Sequence, residues 1–306
     1  MTITGTTERR HALKGLYRYW NDRTAGIDET GFALIRDLYT GWATYAPEAP
    51  GVSFESVTAN GVPAIWAVPR DEVAGSALLY THGGGFIGGG IESHRKLAAH
   101  IAAASGRRTL LIDYRLAPEH LYPAALDDSA AALDWLIDQG YAPARIGLVG
   151  DSAGGLLATR LGVVRAQKGT PQVGAIVAMS PYYDLEGKGE AFDRNSAHDP
   201  IASREGIVQN LAAFLPEGAK ATDPDVNVLR ADLTGLPPVF VSFGGHEALA
   251  DGGTMFAERA RAAGVEVVTE VLDEMDHVPQ FLVGYAPEAT ASVDAIGAFL
   301  RSRLGD

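Results

Sequence analysis

Gly150-Asp151-Ser152-Ala153-Gly154-Gly155 is the stretch that most restricts how this chain can fold. It stands between a short apolar run, Ile146-Gly147-Leu148-Val149, and an apolar pattern from Leu156-Leu157-Ala158 to Val163-Val164. The first reads as a buried strand and the second as a helix, so the residues between them must turn one into the other abruptly. Glycines at 150 and 154 suit such a turn, which presses backbone against backbone and strains the residue at its centre. Ser152 then stands proud of the sheet edge, at a helix N-terminus. A second glycine motif, His82-Gly83-Gly84-Gly85-Phe86, follows another apolar strand, Ala77-Leu78-Leu79-Tyr80. Gly-x-Ser-x-Gly alone is a weak signal in a chain with 36 glycines. Two such motifs, each behind its own strand, are far more specific. One offers a nucleophile, the other backbone N–H donors for the charge it creates.

Composition narrows the partners. The net charge is −13, from 25 basic and 38 acidic residues. That argues against nucleic acid or an anionic membrane surface, both of which demand clustered Lys and Arg. With no cysteine, disulfides, thiolate metal sites and a Cys nucleophile are excluded. Residues 1–20 carry Glu8, Arg9, Arg10, Lys14 and Arg18 but no apolar core of a secretory signal. No apolar run is long enough to span a bilayer, and a cytoplasmic location is expected.

Along the chain, the first fifty residues differ from the rest. Ala12-Leu13, Leu16-Tyr17 and Tyr19-Trp20 recur at helical spacing, as do Phe32, Ile35 and Leu38-Tyr39-Trp42, with Asp28–Thr30 as the expected N-cap region. Strands are expected at 52–58 and 63–68, joined by the hairpin signal Asn60-Gly61. Strands at 77–80, 108–112, 145–149, 175–179, 238–243 and 265–271 then alternate with helices at 93–104, 124–137, 152–167, 253–263 and 287–304. Continuous apolar strands between helices imply a mostly parallel sheet covered on both faces, the Asn60-Gly61 hairpin lying at one edge. Residues 1–50 are expected to form a helical cap segment and 51–306 the catalytic domain. Within the latter, 186–233 is too long for a single crossover; it reads as a second cap insertion, with a lid helix over 207–215.

These residues together resemble the hormone-sensitive-lipase-like branch of the α/β-hydrolases, which contains bacterial carboxylesterases. The resemblance rests on His82-Gly83-Gly84-Gly85-Phe86, Asp113-Tyr114-Arg115-Leu116-Ala117-Pro118-Glu119-His120, Tyr122-Pro123-Ala124-Ala125-Leu126-Asp127-Asp128 and the Ser152 motif. Gly235-Leu236-Pro237-Pro238 before a strand and Met275-Asp276-His277-Val278 near the end extend it from about residue 52 to the C-terminus. It implies an α/β-hydrolase fold with a helical cap and a serine carboxylesterase acting on short-chain esters through an acyl-enzyme. No metal or organic cofactor is implied, only a small-molecule ester substrate; oligomeric state stays open.

In this fold the chain order is Ser, acid, His. Ser152 is the expected nucleophile, and His277, the only histidine after His246, is the expected base. The family's acid position falls on Glu247 in Glu247-Ala248-Leu249-Ala250-Asp251, where many relatives carry Asp. Asp251, one helical turn further on, is the rival. The expected oxyanion donors are the N–H groups of Gly83, Gly84 and Ala153. The resemblance gives His82 a bracing role. Asp151 reads as fixing the elbow, and Asp113, Arg115, Glu119 and His120 as a buried polar network.

Other readings compete. Gly83-x-Gly85-x-x-Gly88, with Asp113 ending the next strand, spells a dinucleotide-binding fingerprint. Gly89, Gly90 and Ser93 delay the following helix, however, and the Ser152 motif would go unexplained. His246-Glu247 opens like a zinc motif, but position 250 is Ala. Ser93-x-x-Lys96 lacks partner motifs, so Ser93 is read as a helix N-cap. His11, His94, His100 and His198 read as surface or packing residues. A lactone hydrolase with the same machinery, or a ligand receptor on an inactive hydrolase scaffold, stand as alternatives.

Overall fold

Residues of the inner strands face two cores in alternation, because both sides of the sheet are covered there. The computed structural model of the protein describes residues 6–24 and 31–305. Among them run eight strands: β1 (Val52–Ala59), β2 (Val62–Pro69), β3 (Ala77–Thr81), β4 (Arg108–Ile112), β5 (Ile146–Asp151), β6 (Ala175–Met179), β7 (Val239–Gly244) and β8 (Val267–Leu272). Their spatial order is β1-β2-β4-β3-β5-β6-β7-β8. β2 is antiparallel to β1 and β4, and every later pairing is parallel. The hairpin lies at the edge, turning at Asn60 and Gly61 with φ of 46° and 89°, the left-handed pair that a two-residue hairpin requires.

Helices α1 (Thr6–Arg10), α2 (Ala12–Thr24) and α3 (Phe32–Tyr39) precede the sheet. The expected cap at Asp28–Thr30 lies outside the described residues. Helices α4 (Ile91–Ser105), α5 (Ala124–Asp138) and α6 (Ser152–Gln167) connect the parallel strands. Later come α7 (Ala191–Arg194), α8 (Arg204–Phe214), α9 (Ala250–Ala262) and α10 (Pro287–Leu304). In β3, Leu78 and Tyr80 join Leu97 and Ile101 of α4 and Leu300 of α10 in one core. Leu79 between them joins Leu133 of α5 and Leu161 of α6 in the other.

Three local expectations need correction. Helix α4 starts at Ile91 with Gly90 as its N-cap residue. Ser93 is therefore inside the first turn, where its hydroxyl donates to the Gly90 carbonyl at 2.9 Å and lies 2.7 Å from His94 Nδ1. The helix expected as a lid, α8, starts earlier than expected because Ser203 caps it, accepting from the Gly206 N–H at 3.0 Å. Asp113, Arg115, Glu119 and His120 are exposed, not a buried network. The loop is instead clamped by two guanidinium forks: Arg115 on Asp128 and Arg36 of α3 on Glu119.

The N-terminal helices sit on the end of the sheet where the motif loops gather. Trp20, Tyr39 and Trp42 pack at 4.7–4.9 Å between ring centroids, and Trp42 stacks on Phe281 at 4.9 Å. Tyr17, fully buried, donates from its hydroxyl to the His277 carbonyl at 3.0 Å. Among the described residues no helix is long and apolar enough to cross a membrane.

Candidate active site

Strand β5 delivers Ser152 to the first position of α6 with φ of +51°. A non-glycine residue in that region is uncommon and carries strain. The turn tolerates nothing larger than glycine at 154: a Cβ there would overlap the carbonyl oxygens of Thr81 and His82. Ala153 follows within the first helical turn, where N–H groups have no intrahelical acceptor.

The glycine loop after β3 lies against this elbow. A Cβ on Gly83 would come within 3.1 Å of Ser152 Cβ. Yet the Gly83 N–H points inward, donating to Asp151 Oδ1 at 3.1 Å with His94 Nε2 at 3.2 Å. The expectation that Gly83 serves as an oxyanion donor is therefore corrected: its hydrogen is already held by the protein. Gly84 and Gly85 border the cavity that contains Ser152 and His277. Phe86, at φ of +67°, anchors the loop by stacking on Phe214 of α8 at 3.9 Å.

Asp151 is fully buried and makes three contacts: the Gly83 N–H, the Tyr80 hydroxyl at 2.7 Å, and His94 Nε2 at 3.3 Å. Burial pushes its pKa up, but His94 and Tyr80 outweigh that and hold it below the usual carboxylate value. His94, with 0% exposure, is thus more than a packing residue; it joins helix α4 to the elbow. No motif in the sequence announced it. His82 stacks on Tyr114 at 4.1 Å, and burial drives its pKa down to about 3, so it braces the loop as a neutral ring.

His277 sits in the loop after β8, 3% exposed, with Nδ1 3.3 Å from Oε2 of the fully buried Glu247. Val278, next to it, takes φ of +46°, an outlier for a β-branched residue. The Ser180 hydroxyl fixes that turn by accepting from the Val278 N–H at 2.9 Å. Burial pulls the His277 pKa down, but the hydrogen bond and charge of Glu247, helped by Asp199 and Asp151, raise it above the ordinary value of 6.5. Burial raises Glu247 despite its histidine partner. Asp251 is turned elsewhere: it accepts from the Ala191 N–H at 2.9 Å and pairs with Arg194 at 2.8 Å.

Sequence reasoning passed over two residues that hold the Glu247 loop. Asn195 donates to the carbonyls of Gly245 (3.0 Å) and Glu247 (2.8 Å). Asp199, 5% exposed, accepts from the N–H groups of Ile201, Ala202 and Ala248. Both lie in the long segment before β7, where polar residues in a loop carried no periodic signal. The cavity at Ser152 measures only about 60 Å³ and is walled by Trp42, Tyr182, Ile207 and Leu249 among others. A cleft of about 600 Å³, lined by Trp20, Tyr39 and residues of α8, adjoins it. No group of three His, Cys, Asp or Glu suited to a metal occurs among the described residues.

Comparison with known proteins gives a consistent result. A family model described as the alpha/beta hydrolase fold matches residues 78–281. The chain is 34% identical to an acetyl-hydrolase of Streptomyces hygroscopicus over 250 residues, 82% of this chain and 83% of that one. It is 34% identical to carboxylesterase NlhH of Mycobacterium tuberculosis over 244 residues, covering 76% and 73% of the two chains. Among solved structures, an esterase from the bacterial hormone-sensitive lipase family superposes with a TM-score of 0.91 at 37% identity, covering 99% of this chain and 100% of that one.

Proposed function

This chain belongs to the α/β-hydrolase family, in its bacterial hormone-sensitive-lipase branch, and is an ester-hydrolysing enzyme; from that premise we propose that it is a serine carboxylesterase for short-chain esters. Ser152 Oγ attacks the ester carbonyl and passes its proton to Nε2 of His277. Glu247 accepts from Nδ1–H and stabilises the imidazolium as it forms. The oxyanion is met by the N–H groups of Gly84, Gly85 and Ala153, Gly85 taking the place first expected for Gly83. Collapse breaks the C–O bond, and His277 returns the proton to the departing alkoxide, giving the alcohol and an acyl-Ser152. Water, deprotonated by His277, then attacks the acyl carbonyl and releases the acid.

One observation carries this reading. Ser152, His277, Gly84 and Gly85 border a single cavity, while Glu247 backs the histidine from the buried side. The smallness of the cavity at the serine itself supports a preference for acyl groups of about two to six carbons. No cofactor has a role in these steps.

The test is Ser152→Ala. A folded variant by circular dichroism should hydrolyse p-nitrophenyl acetate at background rate and lose covalent labelling by a fluorophosphonate. Labelling that persists in the variant would place the nucleophile elsewhere.

A further inference from the structure

Three hollows meet at one side chain. The catalytic cavity of about 60 Å³, the outer cleft of about 600 Å³, and a chamber of about 540 Å³ that meets the cleft along Ile35, Ile87 and Gln209 share Asn210, on α8, as the one described residue bordering all three. The chamber is walled mainly by apolar side chains, Phe32, Ile35, Pro118, Leu121, Ala212 and Leu215. Its size and lining are those of a small-molecule site. It shares no other described residue with the catalytic cavity.

Asn210 is held in this position from two sides. Its amide lies over the oxyanion loop, with Nδ2 3.0 Å from where a Cβ on Gly85 would be. The Tyr182 hydroxyl, inside the catalytic cavity, shares a hydrogen bond with it. An amide between an aromatic-walled cavity and an apolar chamber is an unusual choice for a wall that only fills space. We propose that Asn210 is a specificity-determining residue: its side chain closes the catalytic cavity against the apolar chamber and so sets the limit on acyl-chain length. The chamber is then a latent acyl site, shaped for an alkyl chain of medium length and divided from the catalytic cavity by one amide. This rests on the reading of Ser152 as nucleophile within that cavity.

The experiment compares wild type, Asn210→Ala and Asn210→Leu on p-nitrophenyl acetate, butyrate and octanoate. Asn210→Ala removes the barrier and should raise the octanoate-to-acetate ratio of kcat/KM at least tenfold, the low end of the roughly 10–200-fold that one accommodated methylene can contribute in an apolar pocket. Asn210→Leu keeps the bulk without the amide and should keep the wild-type ratio. Adding Ala212→Phe to Asn210→Ala fills the chamber and should return the ratio toward wild type. Should Asn210→Ala not fold, Asn210→Ser, which also shortens the side chain, is read by the same ratio. A ratio that stays within twofold of wild type in the shortened variant, including equal loss on all three esters, overturns the proposal. So does an equal rise in Asn210→Leu. Failure of the parent reading shows separately, as acetate hydrolysis that survives Ser152→Ala.

Discussion

Replacing Glu247 with Gln tests the proposed acid with almost no change of shape. In the native protein its Oε2 lies 3.3 Å from His277 Nδ1, both groups being buried. When the ring takes the serine proton, the new positive charge faces a carboxylate that water does not screen. Opposite unit charges about 4 Å apart attract by about 4 kcal/mol at an effective dielectric near 20. At 1.36 kcal/mol per decade that is about three decades of rate. Gln also presents an N–H₂ group that can favour the wrong ring tautomer, an effect worth about 10⁴ in the analogous change in a serine protease. Asp199 still favours the imidazolium and softens the loss. The expected fall in kcat is about 10²–10⁴, with KM little changed, because the interaction strengthens in the transition state. Steady-state kinetics on p-nitrophenyl acetate, after circular dichroism has confirmed folding, read this directly. Asp251→Asn should cost less than about tenfold, since Asp251 only pins the α7 segment through Ala191 and Arg194. If Asp251→Asn proves crippled while Glu247→Gln is nearly normal, the assignment of the acid is wrong.

Three further outcomes follow from the same geometry. His277 must be neutral to accept a proton, and its pKa is raised above 6.5. The acid limb of kcat/KM should therefore have its midpoint above pH 6.5 and move to lower pH in Glu247→Gln, where burial is left to dominate; a limb that stays put would remove Glu247 as its cause. Asp151→Asn should leave the Tyr80, His94 and Gly83 contacts mispaired, costing about 1–3 kcal/mol, seen as a lower urea midpoint at constant slope. It should also lower kcat as the glycine loop loosens. Gly154→Ala drives a methyl into the Thr81 and His82 carbonyls and should cost more than about 3 kcal/mol; a soluble variant with a wild-type midpoint would contradict the packing at the elbow.

What could be read from the chain depended on how local the physics was. Ser152, Glu247 and His277 could be singled out because each sits in a short motif just after a strand, and the roles proposed for them follow the chain order of the fold. The sheet and its edge hairpin were legible for a similar reason: apolar runs and Asn60-Gly61 carry their own signals. Gly83 was misjudged because the direction of an N–H is set by what it meets in three dimensions, here Asp151, sixty-eight residues later. His94 and Asp199 were missed for the same reason. Each is a polar side chain whose importance comes from a buried partner distant in sequence, and neither lies in a pattern that periodicity can detect. Ser93 shows the reverse error, a good cap residue outranked by Gly90, whose φ of +155° starts the helix two residues sooner.

Segment 186–233 does two separable things to the proposed site. Through α8 it supplies Ile207 and Asn210 to the cavity wall, which bears on which ester fits. Through Asn195 and Asp199 it grips the loop that carries Glu247, by hydrogen bonds to Gly245, Glu247 and Ala248. The N-terminal helices do the same for the histidine loop, where Tyr17 holds the His277 carbonyl and His11 lies 3.3 Å from Asp276. Acid and base are thus each fastened by an element outside the sheet, and neither loop depends on its strand alone for its position. Changes on the cavity side of α8 should therefore act on KM and chain-length preference. Changes at Asn195 should act on kcat, because they displace Glu247 without touching the ester.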